Sequence, residues 1–335
     1  MEKEVKSQIS VSARLSVAPM MDWTDRHCRY LHRLLSGQAL LYTEMVTAPA
    51  LVRGDARHLL EHSAQEHPLA LQLGGSDPAE LAQAARMGAE AGYDEINLNV
   101  GCPSDRVQSG AFGAVLMKSP DLVADCVAAM RAVVAVPVTV KCRIGVDDQV
   151  PEATLPKFLE TVSAAGVSRF SIHARKAWLQ GLSPKENRDI PPLDYALVHA
   201  MKPAFPQLHL SVNGGITLLD QALRHLEVMD GVMIGRAAYH QPADILASAD
   251  RRIFGAGHDR RAEDVARAML PYIETHLTGG GRLNQITRHM LGLFAGRPGA
   301  RAWRRFLSEN AAAKGAGPKV VEQALALVEM QVQDA

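Results

Sequence analysis

Eight short apolar runs, each followed by a longer polar or alanine-rich stretch, limit what this chain can fold into more than any other feature. They are LSVAPM (15–20), ALLYTEM (39–45), LALQLG (69–74), EINLNVG (95–101), VTVKCRIG (138–145), RFSIHAR (169–175), HLSVNGG (209–215) and GVMIGRA (231–237). Their length and their Val, Leu and Ile content read as strands. Residues 77–92, 119–134, 154–166 and 217–227 lie between them and read as helices. These open on Asp, Ser or Thr capping residues, often with Pro in the first turn, and two end at glycine.

Strands that alternate with helices form parallel βαβ units. Eight of them predict an α/β fold, a closed (β/α)8 TIM barrel, better than an open doubly wound sheet. An open sheet would want G-x-G-x-x-G after its first strand, where this chain has the glycine-free PMMDWTDRHC (19–28). Beyond residue 240 the strand pattern stops. Residues 260–277, 282–295, 301–313 and 318–332 read as helices joined by GGG (279–281) and GRPGAR (296–301). The expected division is a barrel over 1–248 and an all-α helical domain over 249–335.

Composition narrows the setting. The 335 residues hold 36 basic and 36 acidic side chains, which argues against a nucleic-acid partner only if the charge is evenly spread. It is not: residues 250–335 carry 13 Lys and Arg against 9 Asp and Glu, and 282–305 hold six arginines and no acid. Arginine-rich charge with Phe294 and Trp303 interleaved points to a phosphate-facing surface. No apolar run reaches the roughly 18 residues of a membrane span, and the charged start MEKEVKSQIS lacks a signal-peptide core, so a cytoplasmic protein is expected. Cys28, Cys102, Cys126 and Cys142 form no CxxC pair and no zinc-type spacing, so free thiols and no metal are expected.

In a barrel of this kind, function collects where strands end. Polar residues stand at nearly every such end: Gln72, Asn97, Asn99, Cys102, Lys141, Arg143, His173, Arg175, Asn213 and Arg236. NGGI after the seventh strand and IGRAA after the eighth bring Gly214, Gly215 and Gly235 to the usual phosphate loops, with Arg236 beside them. Pro19, Met20 and Met21 offer an apolar floor, while Gln72, Lys141 and His173 offer polar edges. That set suits FMN, with Lys141 able to favour the anionic reduced ring. A sugar phosphate is the second fit. Cys102, just past a strand and pinned by Pro103, is open to several readings at this point: packing, metal ligand, disulfide partner, nucleophile or acid.

APMMDWTD, LALQLGG, INLNVGCP, KCRIG, IHAR, NGGI and IGRAAY, in this order, resemble the tRNA-dihydrouridine synthases. WLQGLSPKENRDIPPLDY (178–195) resembles their bacterial DusA subfamily. The resemblance implies reduction of the C5–C6 double bond of tRNA D-loop uridines, at positions 20 and 20a, by FMN recharged with NADPH. It implies hydride delivery to C6 and Cys102 as the acid that protonates C5. An ordinary thiol, with a pKa of about 8.5, is mostly protonated at neutral pH and suits that task. It implies FMN contacts at Pro19, Met20, Met21, Gln72, Lys141, His173, Asn213, Gly214, Gly215, Gly235 and Arg236. Asn99 and Arg143 would line the pocket of a flipped uridine. The pairs Lys185 and Arg188, and Arg301 and Arg304, each three apart, are the candidates for tRNA contact. No obligate protein partner is implied, and a monomer is expected. The rivals are an FMN barrel oxidoreductase for a free pyrimidine, similar to dihydroorotate dehydrogenase, and a non-catalytic RNA-binding barrel.

Overall fold

The computed structural model describes residues 10–54, 56–104 and 110–333. Its strands are β1 (Leu15–Val17), β2 (Leu41–Thr47), β3 (Leu69–Gly74), β4 (Glu95–Val100), β5 (Val138–Arg143), β6 (Arg169–His173), β7 (His209–Asn213) and β8 (Gly231–Ile234). All pair in parallel in the order β1-β8-β7-β6-β5-β4-β3-β2. The ring closes where Ser16 bridges Leu40. There the Val17 N–H donates to the Leu40 carbonyl at 3.0 Å, and the Leu40 N–H to the Leu15 carbonyl at 3.0 Å. The structure is the TIM barrel that the strand pattern predicts, followed by a run of helices.

Around the sheet run α1 (Arg26–Leu35), α2 (Ala48–Val52), α3 (Pro78–Glu90), α4 (Pro120–Arg131), α5 (Pro151–Ala164), α6 (Glu186–Asp189), α7 (Tyr195–Ala204), α8 (Leu219–His225), α9 (Arg236–His240) and α10 (Pro242–Leu246). Strand residues alternate between two environments. Leu69, Leu71 and Leu73 of β3 face outward into the core under the helices. Ala70 belongs to a small inner cluster with Leu40, Tyr42 and Met233. The rest of the interior is polar: Gln72, Glu95, Asn97, Thr139, Arg169, Ser171 and Ser211 are all buried.

Several local expectations change. The Asp77 side chain does cap α3, accepting the Glu80 N–H at 2.8 Å. Ser119 makes no such bond, and α5 starts at Pro151 behind Val150 instead of at Thr154. Gly92 and Gly166, at φ +97° and +96°, do stop α3 and α5. Arg236 does not extend the eighth strand; it is the first residue of α9.

The C-terminal helices are α11 (Ala249–Phe254), α12 (Ala262–Ala268), α13 (Leu270–Thr278), α14 (Leu283–Met290), α15 (Ala300–Asn310) and α16 (Pro318–Gln333). The expected helix 260–277 is two helices, broken at Met269 ahead of Pro271, whose nitrogen cannot continue the ladder. Phe294 and Trp303 are not part of an RNA-facing surface. Both are fully buried, edge to face at 4.9 Å, with the Trp303 indole donating to the Met290 carbonyl at 2.9 Å.

Two carboxylates, Asp25 and Asp250, join these helices to the barrel. Asp25 caps α1, its Oδ1 accepting from the N–H groups of His27 and Cys28 at 2.9 and 3.0 Å. Its Oδ2 accepts from Arg288 Nη2 at 2.5 Å and lies 3.0 Å from His289 Nε2, both on α14. Burial opposes the charge. Even so, His289, the Cys28 N–H and Arg288 together hold this carboxyl well below the usual range. Tyr272 of α13 adds a stack on Tyr30, centroids 4.0 Å apart, and its hydroxyl lies 2.8 Å from His27 Nδ1. Buried Asp250 accepts from Ser36 Oγ at 2.5 Å and the Gly37 N–H at 2.8 Å.

Asp25→Ala should cost about 1–2 kcal/mol from the cap alone, measured by denaturant unfolding. A carboxyl held low in the fold stabilises above its unfolded pKa, and that share is lost as pH falls. Stability of the parent should therefore drop below about pH 4, and Asp25→Asn should make that acid limb shallower.

Candidate active site at the barrel mouth

The inner face of β4 carries Glu95, Asn97 and Asn99 at alternate positions, and β4 ends at Val100. Asn99 Oδ1 then accepts from the N–H groups of both Gly101 and Cys102, each at 3.0 Å. This side chain shapes the turn that presents the thiol. Cys102 is half-buried, and its Sγ lies 3.4 Å from Ser104 Oγ. The other three cysteines are buried and free. Burial pushes the Cys126 and Cys142 thiols up to about 12. Cys142 packs into the outer core while its neighbour Lys141 faces inward, as strand alternation requires.

Lys141 is half-buried, and no acceptor among the described residues lies within hydrogen-bond distance of its ammonium. Burial, aided by the charge of Arg143, brings it down to about 8. Arg143 donates through Nε to the Gly101 carbonyl at 3.1 Å and through Nη1 to the carbonyls of Lys176 and Asn187 at 3.2 and 2.9 Å. It thus ties the Cys102 turn to the segment after β6. Asn187, which the sequence reading passed over, holds that segment closed: its Oδ1 accepts the Trp178 N–H at 2.7 Å, and its Nδ2 donates to the Trp178 and Leu182 carbonyls at 2.8 and 3.1 Å. Neighbouring Lys185 and Arg188 are exposed.

His173 ends β6. Burial, then the charges of Arg143, Lys141, Arg175 and Arg188, push its pKa well below the usual value, so the ring is neutral at pH 7. Gly214 sits against it: at φ +107°, a Cβ there would lie 2.4 Å from His173 Cδ2. The Gly214 carbonyl accepts from Tyr195 OH at 2.6 Å, and Asn213 Nδ2 donates to the Met233 carbonyl at 2.7 Å. At Gly235 a Cβ would meet only Ala18 Cβ and Met20 Sδ, each at 3.6 Å. Arg236 pairs with Asp189 at 2.6 Å, both about half exposed. Across the mouth, Thr24 Oγ1 accepts the Met20 N–H at 2.9 Å, while Met21 is exposed.

Lys141, Arg143, Arg175, Arg188 and Arg236 thus surround one opening. Asp189 is the only carboxylate paired there among the described residues. The rim suits an anionic ligand with a flat body. Arg301 and Arg304 lie apart from it on α15, exposed and without a carboxylate partner among the described residues. Glu95, Thr139 and Arg169, buried in the barrel beneath the mouth, were missed. Their signal was available in the inward period of β4, β5 and β6.

The fold and the mouth of this chain define a (β/α)8 barrel with a candidate active site at the C-terminal ends of the strands. Its barrel is similar to 2-naphthoyl-CoA reductase, with a TM-score of 0.54 and 14% identity over 75% of this chain and 51% of that one. It is also similar to an old yellow enzyme homologue from Zymomonas mobilis, with a TM-score of 0.52 and 13% identity over 74% and 90%. Residues 16–329 match the dihydrouridine synthase (Dus) family, and the chain belongs to it. It is 61% identical over 330 residues to a tRNA-dihydrouridine(20/20a) synthase of Salmonella typhi, covering 98% of this chain and 99% of that one. It is 58% identical over 325 residues to the protein of that name from Shewanella oneidensis, covering 97% and 96%.

Gly214→Ala should cost about 1–3 kcal/mol through the clash with His173. Gly280→Ala is the control, at φ +87° with nothing within 4 Å of a Cβ. Denaturant melts should place Gly214→Ala clearly below Gly280→Ala.

Proposed function

We propose that this chain reduces uridines 20 and 20a of tRNA to 5,6-dihydrouridine, with FMN at the barrel mouth and NADPH as reductant. The observation that carries this is a thiol on a turn fixed by Asn99, on the same rim as a half-buried ammonium that no acceptor among the described residues meets. The relatives named above supply the substrate class, and the enzyme is an oxidoreductase of that family.

The residues present fit FMN. The N–H groups of Gly214, Gly215 and Gly235 have no acceptor among the described residues and would be available to a phosphate, and Arg236, half-exposed and paired with Asp189, stands beside them to pair with it. Gln72 and the Lys141 ammonium meet the polar edge of the ring. Pro19, Met20 and Met21 meet its apolar side, while Asn213 and neutral His173 complete the cradle. When bound and reduced by NADPH, the flavin would supply hydride to C6 of the uracil and return to FMN.

This chain's own part is to hold the base and deliver a proton. Cys102 gives its proton to C5 and regains one from solvent afterwards. Among the described residues, Asn99 keeps one Nδ2 hydrogen beyond its bond to Gln72, and Arg143 keeps its Nη2 group beyond its carbonyl bonds. We assign those atoms to the uracil edge and its phosphate. The uridine must leave its stack to reach them. Lys185, Arg188, Arg301 and Arg304 take phosphates of the folded RNA, positioning it without reading sequence. The unit that carries the last pair is residues 249–335.

Cys102→Ala should keep FMN, and keep its reduction by NADPH, but lose dihydrouridine formation on tRNA lacking it. Unchanged formation would remove the acid assignment. Arg301→Ala with Arg304→Ala should weaken tRNA binding and lower the slope of log affinity against log salt by about 1–2. An unchanged slope would leave those two arginines as solvated surface.

A further inference from the structure

A single hydrogen-bonded chain runs through the barrel from the thiol turn to its floor. The Cys102 N–H donates to Asn99 Oδ1 at 3.0 Å, Asn99 Nδ2 to Gln72 Oε1 at 2.8 Å, and Gln72 Nε2 to Asn97 Oδ1 at 2.7 Å. Asn97 Nδ2 then donates to Thr139 Oγ1 at 2.9 Å, and Thr139 donates to Glu95 Oε1. Glu95 also receives Tyr42 OH at 2.9 Å and Arg169 Nη2. Glu95, Gln72, Asn97 and Thr139 are all at most 2% exposed.

Every donor in this chain points the same way. A backbone N–H can only donate, and Arg169 can only donate. Burial, then the neighbouring Glu95, push the Tyr42 pKa well above its usual value, so it too is a donor. The two ends therefore decide the middle. Turning over one carboxamide would set donor against donor on one side and acceptor against acceptor on the other. Unmade buried bonds of this kind are costly, because the groups lose water without gaining a partner.

We propose that Glu95 and Thr139, at the far end of the barrel from the mouth, are positioning residues that set the carboxamide orientation of Gln72 and Asn99 and so hold the Cys102 turn. They touch neither cofactor nor base. This rests on the mouth being the flavin and uridine site, but its first readout does not. Because the other three cysteines are buried, the rate of Cys102 alkylation by iodoacetamide reports the turn directly, with or without FMN.

Thr139→Val keeps the shape and removes both bonds. It should change the Cys102 alkylation rate at least about threefold, and lower kcat for tRNA reduction about tenfold or more with KM for tRNA little altered. It should also shift the visible flavin band, since the Gln72 carboxamide loses the support that its partner Asn97 takes from Thr139. Thr139→Ser should restore all three. Should Thr139→Val not fold, Asn97→Leu breaks the same chain and leaves Glu95, Tyr42 and Arg169 together, and the same changes are expected. Parental alkylation and kcat in whichever of these two variants folds would overturn the proposal, as would a Thr139→Ser variant as impaired as Thr139→Val. A wild-type protein inactive on tRNA whose alkylation still responds to Thr139→Val would sink the functional reading and leave the positioning role standing.

Discussion

A closed parallel barrel turns one face of every strand inward, and in this protein most of that face is polar. That constraint governs the rest. Bulk water does not reach these buried groups, so most of them satisfy one another, and an unmatched amide in a low-dielectric interior is costly. The solution is a line of groups with fixed polarity, pinned at one end by the carboxylate of Glu95 and at the other by the turn at Gly101 and Cys102. The same bonds that keep the interior folded also set the shape of the mouth. Stability and site geometry are one set of contacts here.

The second organising contact is Asp25. It follows the first strand by only a few residues, next to the Met20 and Met21 segment at the mouth, and it takes its partners from α14. His289, buried behind it, lies 3.2 Å from Tyr239 OH of α9, and Tyr239 stacks on Trp23 at 4.6 Å. The loop after β1, the helix after β8 and the C-terminal helices therefore share one seam. The helical unit proposed to bind RNA is held in register with the rim of the candidate site, through charge and stacking and not through apolar area alone.

How much of this could be read from residues alone follows from how local each feature is. All eight strands were legible because each is a short stretch rich in apolar residues, continuous or at alternate positions, and the ends of β3 (Leu69–Gly74) coincide with the run itself. Helix starts were less so: Thr154 looked like a cap, yet Pro151 fits the first turn just as well and wins. The helix Tyr195–Ala204 was not foreseen, since Pro203 near its end argues against helix. Within the site, Cys102, Lys141, His173 and the glycine loops were visible as types at strand ends. Their partners were not. Glu95 meets Arg169 across 74 positions, and Arg143 meets the Asn187 carbonyl across 44. Asn99 looked like a base reader, but three of its bonds go to the protein.

Zero net charge and an RNA substrate are reconciled by pairing. Of the six arginines between 282 and 305, Arg288 and Arg297 are bound to Asp25 and Glu263 within the fold. Arg305 has only a long contact of 3.9 Å to Glu309. Arg282, Arg301 and Arg304 have no carboxylate partner among the described residues. The acids of this chain are placed to neutralise the cations that build it, such as Arg29 on Glu66 and Arg169 on Glu95. What is left over on the helical unit and around the mouth is positive. A count of charges cannot reveal that surplus, because it depends on which cations the fold has already answered.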